Sequence, residues 1–355
     1  MKFYLLLSIN TIIFSQSLLI NEVVSSNSSV FYDEDGDTPD WVEIYNANNT
    51  TVNLKGYGFS DDLSDKFKWK FPEIIIQPMD YLLVLASDKD KNNIVNSWDG
   101  EITIGDKWKY LPGAYEPPSN WNMINFSSSN WSEGMSGFGY GDGDDNTVLN
   151  QTISVYIRRS FTIENVDEIS IMLFHLDYDD GYVAYINGKE FSRRNLGPEN
   201  SKTTYNQTAT GLHEADIYQG GFPEEIIIDP KQLPLQTGEN TIAIEVHNFS
   251  NSSSDLTCIP FLTIGYGLIY QNLREPDRRI NLPNTYLHTN FKIKSKGDDL
   301  VLSDNNGAIV DSVFTGSIPT DKSKGRVLQD GSWKLFDNPT PGKVNPAIGY
   351  NGFLS

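Results

Sequence analysis

Three aspartates, Asp142, Asp144 and Asp145, fall within the stretch GFGYGDGDDNT at residues 137–147, interleaved with glycines. Closely spaced carboxylates of this kind suit hard cations, which prefer several carboxylate and carbonyl oxygens, and glycine lets backbone carbonyls turn inward to join them. A second group, Asp177, Asp179 and Asp180 in LDYDDG, offers the same chemistry. Two readings stand for these groups: a structural Ca2+ site, or solvated turns. A phosphate cradle is excluded, because the stretch lacks the Gly-Lys-Ser/Thr ending and its acidity repels phosphate. A third acidic stretch, YDEDGDTPDW, carries Asp33, Asp35, Asp37 and Asp40. Gly36 stands at the fourth place rather than the sixth, and Ile44 occupies the place of the EF-hand glutamate, so this stretch reads as a turn.

Zinc and nucleophilic chemistry find no framework. The four histidines, His175, His213, His247 and His288, have no zinc-like spacing, and there is no HExxH. His247, in EVHN, reads as a strand-end residue bonded to nearby loops. There is no G-x-S-x-G elbow. The single cysteine, Cys258, lies in no nucleophile context and excludes an intrachain disulfide. No catalytic residue is assigned, and the chain is read as a non-enzyme. Trp121, Trp131, Tyr140 and Tyr178 have ring faces suited to stacking on sugars, and the same rings serve equally to fill a core. Arg158 and Arg159 alternate across a strand, so at most one faces a groove. Arg158 joins the four aromatics as a candidate ligand contact.

At 355 residues the chain has room for two domains. It holds 47 acidic against 27 basic residues, a net charge of −20. Such a field repels phosphate backbones and anionic membranes, so no nucleic-acid partner is expected. The opening MKFYLLLSINTIIFSQS has one lysine, a short apolar run and a small-x-small ending at residues 15–17. It reads as a secretory signal peptide over residues 1–17, which places the protein outside the cell or on its surface. No later run is long enough to span a bilayer.

No long segment holds a helical apolar period. Short alternating or apolar runs recur instead, separated by Gly, Pro, Asn and Asp, which is the pattern of sandwiches and barrels. The first group is LLINEVV (18–24), DWVEIYN (40–46), TVNLKGYGFSD (51–61), FKWKFP (67–72) and YLLVLAS (81–87). In WVEIY, Val42 and Ile44 alternate with Glu43 and Tyr45, which predicts one buried face. A second group is SVYIRRSFTI (154–163), ISIMLFHLDY (169–178), GYVAYINGKEF (181–191), EEIIIDP (224–230), TIAIEVHNFS (241–250) and IPFLTIGYGLIY (259–270). Asn187-Gly188 supplies the positive φ values of a type I′ hairpin turn.

The first group resembles the lamin tail domain in its bacterial secreted form, an immunoglobulin-like β-sandwich, of the type found with spore-coat-H-like proteins. The residues that carry the resemblance lie at 20–23, 40–46, 54–62, 68–72 and 81–87. The second half of that family resembles LHTNFKIKSKGDDLVLSDNNGAIVDSV (287–313) and NPTPGKVN (338–345). The interval is read as an inserted domain, since loop tips tolerate insertions. The insert resembles galactose-binding-like jelly rolls over its core at about 108–268. Trp121, Trp131, Phe138, Tyr156, Arg158, Asp179, Asp180, Gly181, Tyr185, Asn187, Gly188, His247 and Asn248 hold the matching places. The expected organisation is a signal peptide at 1–17, lamin-tail halves at 18–91 and 286–346, an insert at 92–285 and a tail at 347–355. The resemblance implies a secreted binding or scaffold protein whose partners are glycans or cell-surface proteins. Its alternative is the accessory front of a larger secreted kinase or hydrolase.

Overall fold

The computed structural model describes residues 18–92 and 94–352. The predicted signal peptide, residues 1–17, and the last three residues of the predicted tail lie outside the described residues. Regular structure is all-β, with single 3-10 turns at Val166–Glu168, Ile217–Gln219 and Pro230–Gln232. Among the described residues no helix is long and apolar enough to cross a membrane. The chain divides into two compact units. Residues up to Ile94 join those from Pro283 onward in the first, and Val95–Leu282 form the second.

In the first unit, strand Leu18–Val24 pairs antiparallel with Asp40–Asn46, which pairs in turn with Tyr81–Ala86. Strand Ser323–Arg326 takes the other edge of Leu18–Val24, and Trp333–Phe336 lies beyond it. Residues from opposite ends of the chain are therefore neighbours in one sheet. A second sheet orders Ile309–Phe314, Asp299–Ser303, Gly58–Ser60 and Trp69–Lys70. Both sheets supply the core, including Ile20, Val42, Ile44, Phe59, Val84, Leu300 and Leu302. That burial is the main stabilising term for the sandwich.

The alternation in DWVEIYN predicts an open face at Glu43, and here the structure differs. Glu43 is 0 % exposed and stands opposite Glu22, equally buried, on the neighbouring strand. Residues 340–342 cover the pair. The Thr340 N–H donates to Glu22 Oε2 at 3.0 Å, and the Gly342 N–H donates to Glu43 Oε2 at 2.5 Å. Asn21 Nδ2 donates to Glu43, and the Ser323 and Thr340 hydroxyls donate to Glu22. Burial raises both carboxyls, Glu43 to about 7, against those hydrogen bonds. Sequence alternation reports one strand's own pattern. It carries no information about a segment that returns from residue 340 to cover the second face.

The YDEDGDTPDW stretch is a turn closed by the Asp33 N–H on Asp37 O at 2.9 Å. The Lys89 ammonium lies 2.6, 2.7 and 2.8 Å from carboxylate oxygens of Asp33, Asp35 and Asp37. Lys91 adds a second ammonium, on Glu34 at 3.0 Å and Asp35 at 2.7 Å, so two lysines of the chain offset part of this loop's charge.

The second unit is a sandwich of two larger sheets. One orders Ser132–Met135, Lys107–Pro112, Ser154–Ile163, Gly238–His247, Gly181–Ile186 and Lys189–Arg194. The other orders Thr147–Val148, Phe138–Tyr140, Leu256–Tyr266, Ile169–Tyr178 and Glu224–Ile228, with Ser97–Ile102 also paired to Leu256–Tyr266. Val155, Ile157, Ile242, Ile244, Val246, Tyr182 and Ala184 face inward onto Met172, Phe174, Leu176, Leu262 and Ile264. The hairpin turn has φ of 49° at Asn187 and 84° at Gly188, as a type I′ turn requires.

Candidate functional site

The outer face of the first of those sheets is set by the period of two. Ile242, Ile244 and Val246 point to the core, so Ala243, Glu245 and His247 point away from it. Tyr156 lies opposite Glu245, and Tyr185 opposite Ala243, on the flanking strands. Two irregular segments cover this face. One brings Trp121, Phe126 and Trp131 onto Leu111, Tyr156 and Ala243, and the other brings Tyr205. Trp121 and Trp131 stack at 6.0 Å between centroids, and Trp121 meets Tyr156 and Tyr185 edge-on at 5.1 and 5.7 Å.

Between the two segments a cleft of about 200 Å³ remains. Trp121, Tyr156 and Tyr185 form its aromatic wall, and Glu116, Asn122 and Lys202 its polar rim. At its base is Glu245, 1 % exposed. Both Glu245 oxygens accept from the Thr203 hydroxyl at 2.8 Å, and the Tyr185 hydroxyl donates to Oε1 at 2.8 Å. His247 Nε2 lies 3.2 Å from Oε2, while its Nδ1 faces the Gln207 carbonyl at 2.8 Å. A ring nitrogen facing a carbonyl carries a hydrogen, so His247 links the strand end to the 207 loop. Glu245 thus fixes the positions of Tyr185 and Thr203 from behind.

Of the predicted ligand residues, Trp121 lines the cleft and Trp131 backs it. Arg158 does not line it. Its guanidinium donates to Phe126 O at 2.9 Å, Met123 O at 3.0 Å and Ser128 Oγ at 3.1 Å, and it covers the Phe126 ring at 5.3 Å. Arg158 is the tie that holds the covering segment down. Arg158→Met should lower the stability of the second unit by about 3 kcal/mol, since it strands two carbonyl acceptors. Arg158→Lys should recover little of it, because an ammonium lacks the planar fork. Urea unfolding of the three proteins measures both effects.

Tyr140 and Tyr178 lie elsewhere. The Tyr140 hydroxyl donates to Thr152 O at 3.3 Å and accepts from Asn248 Nδ2 at 2.9 Å. Tyr178 is buried, its hydroxyl donates to Glu224 Oε2 at 2.8 Å, and the His213 ring stacks on it at 4.0 Å. Sequence reasoning missed Tyr156 and Tyr185 as cleft walls, together with Glu245, Thr203, Glu116, Asn122 and Lys202. The parity of TIAIEVH, with three aliphatics on one face, was the signal that could have placed Glu245 outside the core.

The aspartates divide. Asp142, Asp144 and Asp145 converge, with one oxygen from each within 4.8 Å of the others. Burial and the charge of Asp142 raise Asp144 to about 6 and Asp145 to about 7. Asp177 accepts from the N–H groups of Asp216 and Ile217 at 2.8 and 3.0 Å, and Asp180 from those of His213 and Phe249 at 3.2 and 2.7 Å. Those two carboxylates anchor loops. Asp179 uses one oxygen the same way, on the Ala215 N–H at 2.9 Å.

A third feature is a groove of about 590 Å³ between strands Lys189–Arg194 and Glu224–Ile228, the last strands of their sheets. Phe191, Ile228 and Leu233 line its floor. Lys189 Nζ reaches Gln232 O at 2.5 Å, and Arg194 pairs with Glu224 at 2.8 Å.

Residues 15–162 match the Lamin Tail Domain family. The lamin-tail match starts just ahead of the first strand, passes the unit boundary at Ile94 and ends on strand Ser154–Ile163. No curated protein matches the chain. Among solved structures, the chain is similar to a β-glucuronidase of Bacteroides uniformis at 14% identity and a TM-score of 0.32, covering 68% of this chain and 27% of that one. A β-glucuronidase of an uncultured Clostridium sp. gives 12% and 0.31, covering 69% and 42%. The Ruminococcus gnavus β-glucuronidase gives 10% and 0.30, covering 70% and 49%. The chain thus spans less than half the length of these enzymes, and likenesses this distant carry no argument about what it does. The lamin-tail match and the β-sandwich folds are compatible with a binding or accessory module.

Proposed function

We propose that the second unit is a non-catalytic carbohydrate-binding module of an exported protein, and that the cleft at Trp121 holds the sugar. The observation that carries this reading is the meeting of an aromatic wall with a charged and amide rim over a fixed floor. A sugar ring offers C–H patches to aromatic rings and hydroxyls to carboxylate, amide and ammonium groups. Glu116, Asn122 and Lys202 supply the three polar types, and the cleft is the size of a single ring. Glu245 is already engaged by Thr203, Tyr185 and His247, which suits a positioning role. The apolar opening at residues 1–17 supports export, where glycans and surface proteins are the available partners.

Binding of the full chain to a glycan array, followed by calorimetry on the hits, tests this. Saturable binding is expected, and the double variant Asn122→Ala, Lys202→Ala should weaken it about tenfold or more, a loss of about 1.4 kcal/mol. Its melting temperature should not move, because both side chains lie on the rim. An array without saturable binding, or a double variant of unchanged affinity, would overturn the proposal.

A further inference from the structure

Glu34, Ser87 and His288 are far apart in the sequence, and the first unit brings them into one line. His288 is 0 % exposed. Its Nε2 lies 3.1 and 3.0 Å from the two oxygens of Glu34, and its Nδ1 lies 2.8 Å from Ser87 Oγ. A carboxylate only accepts, so Nε2 carries the hydrogen of the neutral ring. Nδ1 is then the bare nitrogen, and the Ser87 hydroxyl donates to it. Lys91 Nζ, 3.0 Å from Glu34 Oε1, holds the carboxylate in place. The backbone fixes the same line. The His288 N–H donates to Lys91 O at 2.7 Å, the Thr289 N–H donates to Leu85 O at 2.8 Å, and Ser87 pairs with Lys292.

A serine hydroxyl bonded to an imidazole that a carboxylate orients is the arrangement that activates a weak nucleophile, whichever ring nitrogen takes which partner. Ser87 follows strand Tyr81–Ala86 and precedes Asp88, whose φ of 66° is left-handed, so the chain turns sharply just past the hydroxyl. Half-buried, Ser87 lines a cavity of about 350 Å³ with Thr38, Asp40, Lys89 and Lys292. The Lys89 N–H donates to Ser87 Oγ at 3.2 Å, and Lys292 brings a cation to the same cavity. Both are placed to meet the negative charge that develops as the oxygen attacks. We infer that Ser87 is a nucleophile toward short-chain acyl esters, with His288 as its general base and Glu34 as the residue that positions His288. Ser87 Oγ bonds to the acyl carbon as that carbon's bond to the alcohol oxygen breaks, and the serine proton passes through His288 Nδ1 to the departing alcohol. Water, giving its proton to the same nitrogen, then frees the acid and restores Ser87. The inference stands apart from the carbohydrate reading, since these residues do not line the Trp121 cleft.

Treatment of the full chain with a fluorophosphonate, followed by peptide mass spectrometry, tests the nucleophile. An adduct on Ser87 is expected in the folded protein and should be lost in urea. His288→Gln should slow that labelling about a hundredfold or more. Hydrolysis of p-nitrophenyl acetate should saturate with substrate and fall to background in Ser87→Ala. Glu34→Gln should lower kcat and leave KM unchanged, a split that a purely structural role would not produce. Thermal melts show whether each variant folds, and the comparison of native with urea-treated wild type decides the matter even if one does not. No adduct on Ser87, equal labelling in a folded His288→Gln, or hydrolysis that survives Ser87→Ala would each overturn the site. Labelling without turnover would overturn the acyl-transfer cycle, and an unchanged kcat in Glu34→Gln would overturn the role of Glu34.

Discussion

Gly139→Ala should destabilise the second unit by about 4 kcal/mol or more, enough to unfold it under ordinary conditions. A Cβ at this position would lie 1.8 Å from the carbonyl oxygen of Leu256 and 2.4 Å from Asp145 Oδ1. The first of these is backbone, and it belongs to the strand with which residue 139 pairs. The clash can be relieved only by parting Phe138–Tyr140 from Leu256–Tyr266, and Phe138 is a fully buried part of the core. Gly143→Ala provides the contrast within the same loop. Its φ of 85° is left-handed, but nothing lies within 4 Å of the added Cβ. That substitution should cost about 1–2 kcal/mol, the strain of an ordinary side chain in that region. Urea unfolding of both variants separates close approach from backbone conformation. If Gly139→Ala is no worse than Gly143→Ala, the pairing of Gly139 with Thr257 is wrong.

The first unit should lose stability as pH rises from about 4.5 to about 7. Glu43 is held at about 7 in the folded chain by burial, against an ordinary value of 4.5. Between those values the folded state keeps a proton that the unfolded chain has released. The stabilisation is therefore fully present below the ordinary value and is lost as pH climbs through the folded one. A rise of this size corresponds to about 3 kcal/mol. Asp40, raised by burial to about 6, adds in the same direction. Glu43→Gln keeps an acceptor for the Gly342 N–H while removing the titration, and its new NH2 group can donate to the otherwise unpartnered Asn21 Oδ1 once that amide flips. It should flatten most of the slope and leave the variant more stable than the wild type at pH 8. Denaturant titrations at pH 4.5, 6 and 8 measure the slope. Stability that climbs steadily toward pH 8, or an identical slope in Glu43→Gln, would contradict this account.

Strand positions were legible where a single segment carries its own pattern. LLINEVV and DWVEIYN are the strands Leu18–Val24 and Asp40–Asn46, and Asn187-Gly188 is the hairpin turn that their φ values demand. Alternation is a local property, and so are turn preferences. What lies over a face is not local. Glu43 was expected to be open because nothing in its own strand shows that Thr340 and Gly342 return to cover it. The cleft fails to show for the same reason. The parity of TIAIEVH places Glu245 away from the core, yet the segments bearing Trp121 and Thr203 have no period that would reveal where they settle. Composition alone could not separate Trp121, which walls the cleft, from Tyr178, whose ring is covered by His213. Spacing did bring Asp142, Asp144 and Asp145 together, because a glycine-rich turn keeps near neighbours near. It gave no hint that Asp177 and Asp180 would be taken up by backbone N–H groups of other loops.

The groove between Lys189–Arg194 and Glu224–Ile228 has a consequence for solubility. Each of these strands ends its sheet, so each has an outer row of backbone groups that a strand from another molecule could pair with, and Ile227 projects from it 60 % exposed. The Arg194–Glu224 pair that bridges the two edges, and Lys189 reaching Gln232 in the turn beyond, put charge where an incoming strand would have to dock. Neutralising both, in a chain already far from zero net charge, should leave the fold intact and still turn this side of the sandwich into the place where copies begin to stick.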